Sequence, residues 1–401
     1  MNYLYFSIHI IEWLLFAYLS LTALYLLFFA LAGYLPGNKH LRTNNIKRKI
    51  AVLIPGYKED AVIVEVAKDA LRQNYPADLF EVIVIADSFK PETIDKLNRL
   101  NIRLVEVSFE VSTKAKALNK AMEVIGDEYD VALVLDADNT MEADFLKKIN
   151  ESFNLGYSVV QAHRIAKNMN TSMAILDAIS EEINNFIFRK AHRKVGLSAA
   201  LIGSGMAFDY AMFKNMMKNI DAVGGFDKQL EMELLKQKCT IHYLNDAFVL
   251  DEKVQKEKAF TNQRRRWLSA QFVYFSQNIG SGLYHLIFKA NVDYFDKVIQ
   301  MGQLPRILLL GISGFIAIFY LLIHFFAGSF EHYLATNYLF WIVELSAVIL
   351  ALALSVPKKF YNKKTISAVL SLPKAFLLMF LTLFKLKGAN KKFIHTEHGI
   401  N

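Results

Sequence analysis

A chain of 401 residues that is 54% hydrophobic, with mean hydropathy +0.24 and net charge +8, holds one soluble domain of ordinary size plus a membrane part. Its single cysteine, Cys239, excludes an internal disulfide and a cysteine metal cluster. The basic excess lies in short runs beside apolar segments and forms no stripe along a soluble helix, which argues against nucleic acid as a partner.

Taken in chain order, the first element is an uncharged run from Trp13 to Leu35. It is long enough to cross roughly 30 Å of hydrocarbon as a helix. It has no basic start and no small-residue cleavage site, so residues 1–36 read as a retained transmembrane anchor. Lys39, Arg42, Lys47, Arg48 and Lys49 follow it, and this bias places the chain from about residue 37 to residue 306 in the cytoplasm.

Residues 48–260 alternate between short β-rich and helical stretches. Ile50–Pro55, Glu81–Asp87, Ile102–Val107, Val131–Asp136 and Ser158–His163 read as strands dominated by Val, Ile and Leu. Asp60–Gln73, Pro91–Leu100, Ser112–Ile125 and Glu142–Phe153 carry apolar residues three or four apart and read as helices. Alternation of this kind predicts an α/β domain with a mostly parallel sheet covered on both faces. Ligands of such sheets sit beyond the carboxyl ends of the strands, which points to Pro55-Gly56-Tyr57, Asp87-Ser88 and Asp136-Ala137-Asp138.

Two carboxylates where a strand turns out can converge on a hard cation, so Asp136 and Asp138 are candidate ligands for Mg²⁺ or Mn²⁺; the plain alternative is a pair of solvated acids. Asp87 closes a wholly apolar run and could accept from a base or ribose, or could cap the next helix. Lys114 and Lys116 open a helix, where cations oppose the dipole and an anionic ligand would offset the cost; the plain alternative, the default for one of the two, is a solvated lysine. Gly203-Ser204-Gly205 would let an acceptor approach the backbone closely, or is a simple turn. His163 and His192 lack metal-ligand spacing and read as structural. Glu231 and Glu233 follow the turn Gly224-Gly225-Phe226; either could take a proton as a general base, or serve only as a helix N-terminal acid.

Gln263-Arg264-Arg265-Arg266-Trp267 groups guanidiniums that pair with phosphate in forked geometry and an indole that offers a platform for a sugar ring. Contact with anionic lipid would account for Arg264 and Arg265 but gives no reason for Gln263 or Trp267. Within residues 261–305, the aromatic-rich stretch from Leu268 to Gln303 reads as amphipathic helices lying on the bilayer. Residues 306–401 then supply two spans, Ile307–Phe326 and Leu339–Val356, the latter carrying Glu344. The loop 327–337 has no Lys or Arg and is expected outside, whereas Lys358, Lys359, Lys363 and Lys364 return the chain inside. Ser367–Phe384, interrupted by Pro373-Lys374, reads as interfacial ahead of a cytoplasmic tail.

In this order the motifs resemble those of membrane-embedded family-two glycosyltransferases of the processive kind, the group of cellulose, chitin and hyaluronan synthases. The resemblance runs from Ile54-Pro55-Gly56-Tyr57-Lys58-Glu59 through Asp87, Lys114–Asn119 and Asp136-Ala137-Asp138 to Gln263–Trp267. It implies a GT-A fold and a nucleotide diphosphate sugar donor, with Pro55, Tyr57, Glu59, Asp87, Lys114, Asp136, Gln263 and Arg266 around the donor. It also implies Asp138, with Asp136, on the divalent metal, and Trp267 beneath the acceptor sugar. The catalytic base of that family is the Asp of a Thr-Glu-Asp motif. Here the corresponding stretch is Gln229-Leu230-Glu231, so Glu231 takes the position, with Glu233 the runner-up. Glutamate is one methylene longer, and displacement of a base by about 1 Å costs roughly a hundredfold in rate. Lys116 stands where the family usually has Gly, and Lys391–Thr396 resembles a cytoplasmic tail of these enzymes.

The expected function is inverting transfer from a UDP-sugar that extends a β-linked polysaccharide at the inner face of a bacterial membrane, coupled to export. One alternative is transfer of a single sugar to a lipid-linked acceptor; another is a non-catalytic subunit of a synthase complex. Expected partners are the donor, a glycan or lipid-linked acceptor, the bilayer, and further copies or subunits. Two spans are few for a polymer channel.

Overall fold

Continuous runs of Val, Ile and Leu exclude water from both sides of a strand, so such strands pair in parallel beneath helices. The computed structural model, which describes residues 2–37, 45–222, 224–255 and 257–385, shows this in β1 (Ile50–Tyr57), β2 (Phe80–Asp87), β3 (Arg103–Val107) and β4 (Val131–Val134). Lys39, Arg42 and the tail Lys391–Thr396 lie outside the described residues. β1 runs parallel to β2 on one side and to β4 on the other, and β2 runs parallel to β3. That register sets Tyr57 opposite Asp87, and Leu53 opposite Val134, two residues short of Asp136. The three strand ends therefore share one rim.

The sheet continues beyond β4 through β5 (Thr140–Met141), β6 (Val159–Ala166), β7 (Met206–Asp209) and β8 (His242–Asp251), in the order β3-β2-β1-β4-β7-β6-β8-β5. β7 runs antiparallel to both β4 and β6, and β5 runs antiparallel to β8, while β6 and β8 are parallel. The sheet is thus mostly parallel but mixed, and β5, β7 and β8 extend the five strands expected from the sequence. β7 is only four residues long, and in β8 the polar pair Asn245-Asp246 falls where the register with β6 slips between Ala162 and His163. Both features blur the apolar pattern.

The helices are α1 (Asn2–Ala32), α2 (Ile63–Ala70), α3 (Pro91–Leu97), α4 (Lys114–Ile125), α5 (Phe145–Asn154) and α6 (Ser172–Asn184). A π-helical segment, Asn185–Ala191, joins α6 to α7 (His192–Lys194), and α8 (Tyr210–Met217) and α9 (Phe226–Lys236) follow. Leu118 and Met122 of α4 and Leu230 and Leu234 of α9 bury against one face of the sheet. Val66 and Ala67 of α2 and Phe145 and Ile149 of α5 bury against the other. This is the α/β arrangement expected of a GT-A-like domain.

Beyond it come α10 (Glu257–Lys289), α11 (Val292–Gly302), α12 (Arg306–Phe326), α13 (Tyr338–Ser355), α14 (Lys363–Val369) and α15 (Leu372–Leu383). Among the described residues three helical stretches, Tyr5–Ala32, Arg306–Phe326 and Tyr338–Ser355, are long and apolar enough to cross a membrane; α14 and α15 form a pair bent by 42°. Leu19, Ala23 and Leu26 of α1 pack with Trp341 and Val348 of α13 and Leu309 of α12. Each acid of this apolar bundle has a partner: Glu344 accepts from Ser313 Oγ at 2.9 Å, and Glu12 accepts from the backbone of Ala335 at 2.9 Å and of Thr336 at 2.6 Å.

A buried charge network ties the sheet to the bundle. Glu181 of α6 accepts from Arg164 of β6 at 2.7 Å and from Arg189 of the π-helical segment at 3.2 Å, and Lys253 pairs with Asp251 at 2.7 Å. Burial alone would raise the Glu181 carboxyl, but Arg164, Lys253 and Arg189 together hold it well below the usual carboxylate range. Its contribution to stability is therefore complete above the ordinary value of 4.5 and is lost as the pH falls toward the depressed one. Glu181→Gln is expected to destabilise the protein by about 3–5 kcal/mol at neutral pH, because it strands buried cations. Thermal unfolding of detergent-purified protein should show this loss, and the acid-induced fall in Tm of the parent should be shallower in the variant.

Candidate active site

The rim formed by β1, β2 and β4 opens into a cavity of about 980 Å³ that extends from the strand ends to the apolar helices. Pro55, Tyr57, Glu59, Asp87, Lys114, Asp136 and Asp138 line it from the sheet. Gly203 lines it from the approach to β7, and Gln263, Arg266 and Trp267 line it from α10. Asp87 is 2% exposed and accepts from the Ser88 hydroxyl at 2.9 Å. Gly56 lies where an added Cβ would stand 2.7 Å from the Phe89 ring, so the backbone beneath Asp87 has no room for a side chain.

Lys114 is the first residue of α4, whose cap Thr113 accepts from the Lys116 amide at 3.2 Å. A cation there opposes the helix dipole. The offset is supplied within the chain: the ammonium donates to Asp136 and, at 2.7 Å, to the Gly203 carbonyl, and stands over the Phe226 ring. Lys116 is exposed on the surface, donates to the Val111 carbonyl at 3.2 Å and does not reach the cavity.

Ser204 and Gly205 lie behind the cavity wall. Ser204 is fully buried and accepts from the Asp136 amide at 3.0 Å, so its work is to hold Asp136 in place. Gly205 has φ +62°, and a Cβ there would stand 2.9 Å from Val249, so this backbone excludes a side chain. Asn139, buried beside them, donates to Asp138 and Asp251 at 3.1 Å each when its amide oxygen faces Ser204.

The carboxylates of α9 depart from expectation. Glu233 pairs with Lys236 at 2.8 Å on the surface and does not line the cavity. Glu231 is 1% exposed, accepts from the Leu201 amide at 3.2 Å and pairs with Lys297 of α11 at 2.7 Å. It lies just behind the lining residues Leu201 and Lys297, because its position on α9 turns it toward α11. Burial pushes the Glu231 carboxyl up against the pull of Lys297, and pushes the Lys297 ammonium down against the pull of Glu231. Asp227, one turn earlier in α9, does line the cavity. Its signal in the sequence is its place directly after Gly224-Gly225-Phe226, at the start of the helix.

On α10, Arg264 pairs with Asp177 and lies over the rings of Phe260 at 4.9 Å and Trp267 at 4.6 Å. It braces the indole, which is 37% exposed, rather than reaching the strand ends. Arg266 lines the cavity; burial lowers its guanidinium, and the charge of Asp136 opposes that shift. Among the described residues the buried Gln263 Oε1 has no hydrogen-bond partner. His163 pairs with Glu182 at 2.9 Å; His192 is fully buried and stacks on Phe29 with ring centroids 3.7 Å apart.

Among the described residues no cluster of three His, Cys, Asp or Glu side chains is poised for a metal. Mg²⁺ ordinarily takes only one or two carboxylates and completes its shell with substrate phosphates and water. The pair Asp136 and Asp138, both on the cavity, fits that mode, with Asp136 also held by Lys114.

Residues 47–270, more than half the chain, match the family described as "Glycosyltransferase like family 2". "Probable glycosyltransferase YdaM" of Bacillus subtilis is 24% identical over 230 residues, covering 55% of this chain and 54% of that protein, so the chain spans about half the length of this relative. A solved structure, "Mannosyltransferase PcManGT from Pyrobaculum calidifontis in complex with GDP-Man and Mn2+", is similar with a TM-score of 0.51 at 15% identity, over 87% of this chain and 98% of that one. TarS from S. aureus gives a TM-score of 0.37 at 16% identity, over 86% of this chain and 55% of that one. At 15% identity the likeness to the mannosyltransferase structure speaks for the fold alone.

The Glu231–Lys297 pair yields a measurable consequence. Lys297→Met leaves a buried carboxylate without its cation and is expected to cost about 3–5 kcal/mol at neutral pH. Because the Glu231 carboxyl is already raised, that loss should shrink as the pH falls and the group is protonated, and grow as the pH rises. Unfolding midpoints on the acid and alkaline sides of neutrality check the sign, and adding Glu231→Gln should restore most of the stability.

Proposed function

The chain belongs to the glycosyltransferase like family 2, and from that membership we propose that it transfers a sugar, with inversion, from a nucleotide diphosphate sugar to an acceptor at the membrane surface. The observation that carries the reading is the shared cavity: every side chain assigned to the donor, together with the indole assigned to the acceptor, lines it. The nucleoside lies by Tyr57 and Asp87, with UDP the favoured carrier, and the diphosphate lies between Lys114, Asp136 and Arg266. Asp138 and Asp136 would hold Mg²⁺ or Mn²⁺, whose chemistry is to neutralise charge on the departing diphosphate. A relative of the same fold bound to GDP-Man and Mn²⁺ supports that choice of cofactor.

The acceptor ring rests against Trp267. Its hydroxyl oxygen forms the new bond to the anomeric carbon as the bond from that carbon to the diphosphate oxygen breaks. The hydroxyl proton passes to a carboxylate, and attack opposite the leaving group converts an α-donor into a β-linked product. Glu231 is the base by position in the family motif; Asp227 is the second reading, favoured by its place on the cavity. Burial and the Lys297 contact keep Glu231 from the hydroxyl until that pair opens. Extension of a polysaccharide is the leading account of the product, from the Gln263–Trp267 cluster, with the catalytic domain cytoplasmic and three or more helices crossing the membrane. Transfer of one sugar to a lipid-linked acceptor is the second, and the apolar far wall of the cavity favours it.

Nucleoside diphosphate release by purified protein with a panel of nucleotide sugars tests the reading. At least one donor should turn over, and Asp138→Ala should lower kcat/KM by about a hundredfold or more. Glu231→Gln should lower kcat by about 10²–10⁴ while leaving donor KM close to the parent value. Full activity in Glu231→Gln with that loss in Asp227→Asn moves the base to Asp227; no release with any donor overturns the transferase reading.

A further inference from the structure

The cavity changes character along its length. Its sheet end is polar, and its far end is walled by Ile307 and Leu310 of α12, Ile349 and Leu352 of α13, and Met379 of α15. Arg306 stands at the change, as the first residue of a helix long enough to cross a bilayer. Its guanidinium donates to Asn184 Oδ1 at 2.6 Å and to the carbonyl and hydroxyl of Ser180 at 3.0 and 3.1 Å.

The neighbouring carboxylates are committed elsewhere: Asp177 to Arg264, Asp251 to Lys253, and Glu181 to both Arg164 and Arg189. Among the described residues none lies within ion-pair distance of Arg306, so a guanidinium on the cavity wall is held by neutral groups only. A desolvated cation without a counterion is costly, and an anion delivered by a ligand would offset that cost. The anion should belong to a molecule whose remainder is apolar, because the wall beyond Arg306 is mostly aliphatic and aromatic, with Tyr361 and Thr365 its few polar side chains.

We propose that this half of the cavity binds a long-chain lipid phosphate, the carrier of the acceptor, with its phosphate on Arg306 and its hydrocarbon between α12, α13 and α15. The guanidinium's remaining N–H groups can donate to phosphate oxygens, and the chain leaves toward the bilayer along the apolar wall. The proposal deepens the transferase reading and rests on it for the role of the bound lipid. Lipid binding is measurable without a donor, so the two can fail separately.

The test is binding of a long-chain isoprenyl phosphate to the full-length protein in detergent, beside the isoprenol of equal length and inorganic phosphate, with nucleoside diphosphate binding measured on each sample. The lipid phosphate should bind saturably, with the alcohol and inorganic phosphate at least roughly tenfold weaker, since each lacks one of the two contacts. Arg306→Gln should weaken the lipid phosphate about tenfold or more, and Arg306→Lys should recover part of the loss. Leu310→Trp should weaken it by narrowing the apolar wall. Retained nucleoside diphosphate binding shows that each variant is folded. Equal binding of alcohol and phosphate, inorganic phosphate binding as tightly as the lipid, or folded Arg306→Gln and Leu310→Trp variants with parental affinity overturns the proposal. Absence of nucleoside diphosphate binding by the parent overturns the transferase reading instead, and leaves the lipid result to stand by itself.

Discussion

The Lys114 ammonium joins three separate pieces of chain at one point: the start of α4, the turn after β4 through Asp136, and the backbone leading into β7 through Gly203. Without it, Asp136 would lose its ion-pair partner, and the segment before β7 would lose its tether to the rim. Ser204 completes the arrangement by taking the Asp136 amide, and Asn139 extends it toward Asp138. Each of these groups is held by another polar group, so the rim is organised before any substrate arrives. Such prior order is what an enzyme needs to stabilise charge without reorganising during reaction.

A second organising layer lies between the sheet and the apolar helices. Arg164, Glu181, Arg189, Asp251 and Lys253 form a network in which every cation touches a carboxylate. Charges this far from bulk water are retained only when geometry satisfies them. Their position, with one member on β6 and others on α6 and the π-helical segment, makes them a rivet between the two halves of the molecule. The π-helical geometry puts Arg189 where its Nε can also reach the Ala200 carbonyl at 3.0 Å, close to the backbone leading to Gly203. Departures from α-helical winding of this kind often occur beside functional sites.

Much of this was legible in the residues. Uninterrupted apolar strands ending in Tyr57, Asp87 and Asp136 required a parallel sheet with those groups at one edge, and the register bears that out. The uncharged runs anticipated the long helices because length and composition alone decide that question. What the sequence concealed came from partners distant in the chain. β7 and β8 are recognisable only by what they pair with, since one is short and the other carries Asn245-Asp246 at a break in register. Glu231 read as an acid at a sheet edge because nothing nearby in sequence announces Lys297, 66 residues later, as its partner. Neither Asp227 at the start of α9 nor Arg306 at the start of α12 stood out in the sequence. Their meaning lies in which cavity they border.

The helix α10 runs unbroken for 33 residues, with Arg266 near its start and the exposed apolar side chains Leu283, Tyr284, Ile287 and Phe288 near its end. At 1.5 Å of rise per residue, about 33 Å separates Arg266 from Phe288. A rod of that span converts a tilt of ten degrees about its greasy end into a displacement of about 6 Å at the guanidinium. The cavity-lining guanidinium and the exposed apolar end of α10 are therefore mechanically one part: a force on that end acts on a lever whose other arm lies at the cavity.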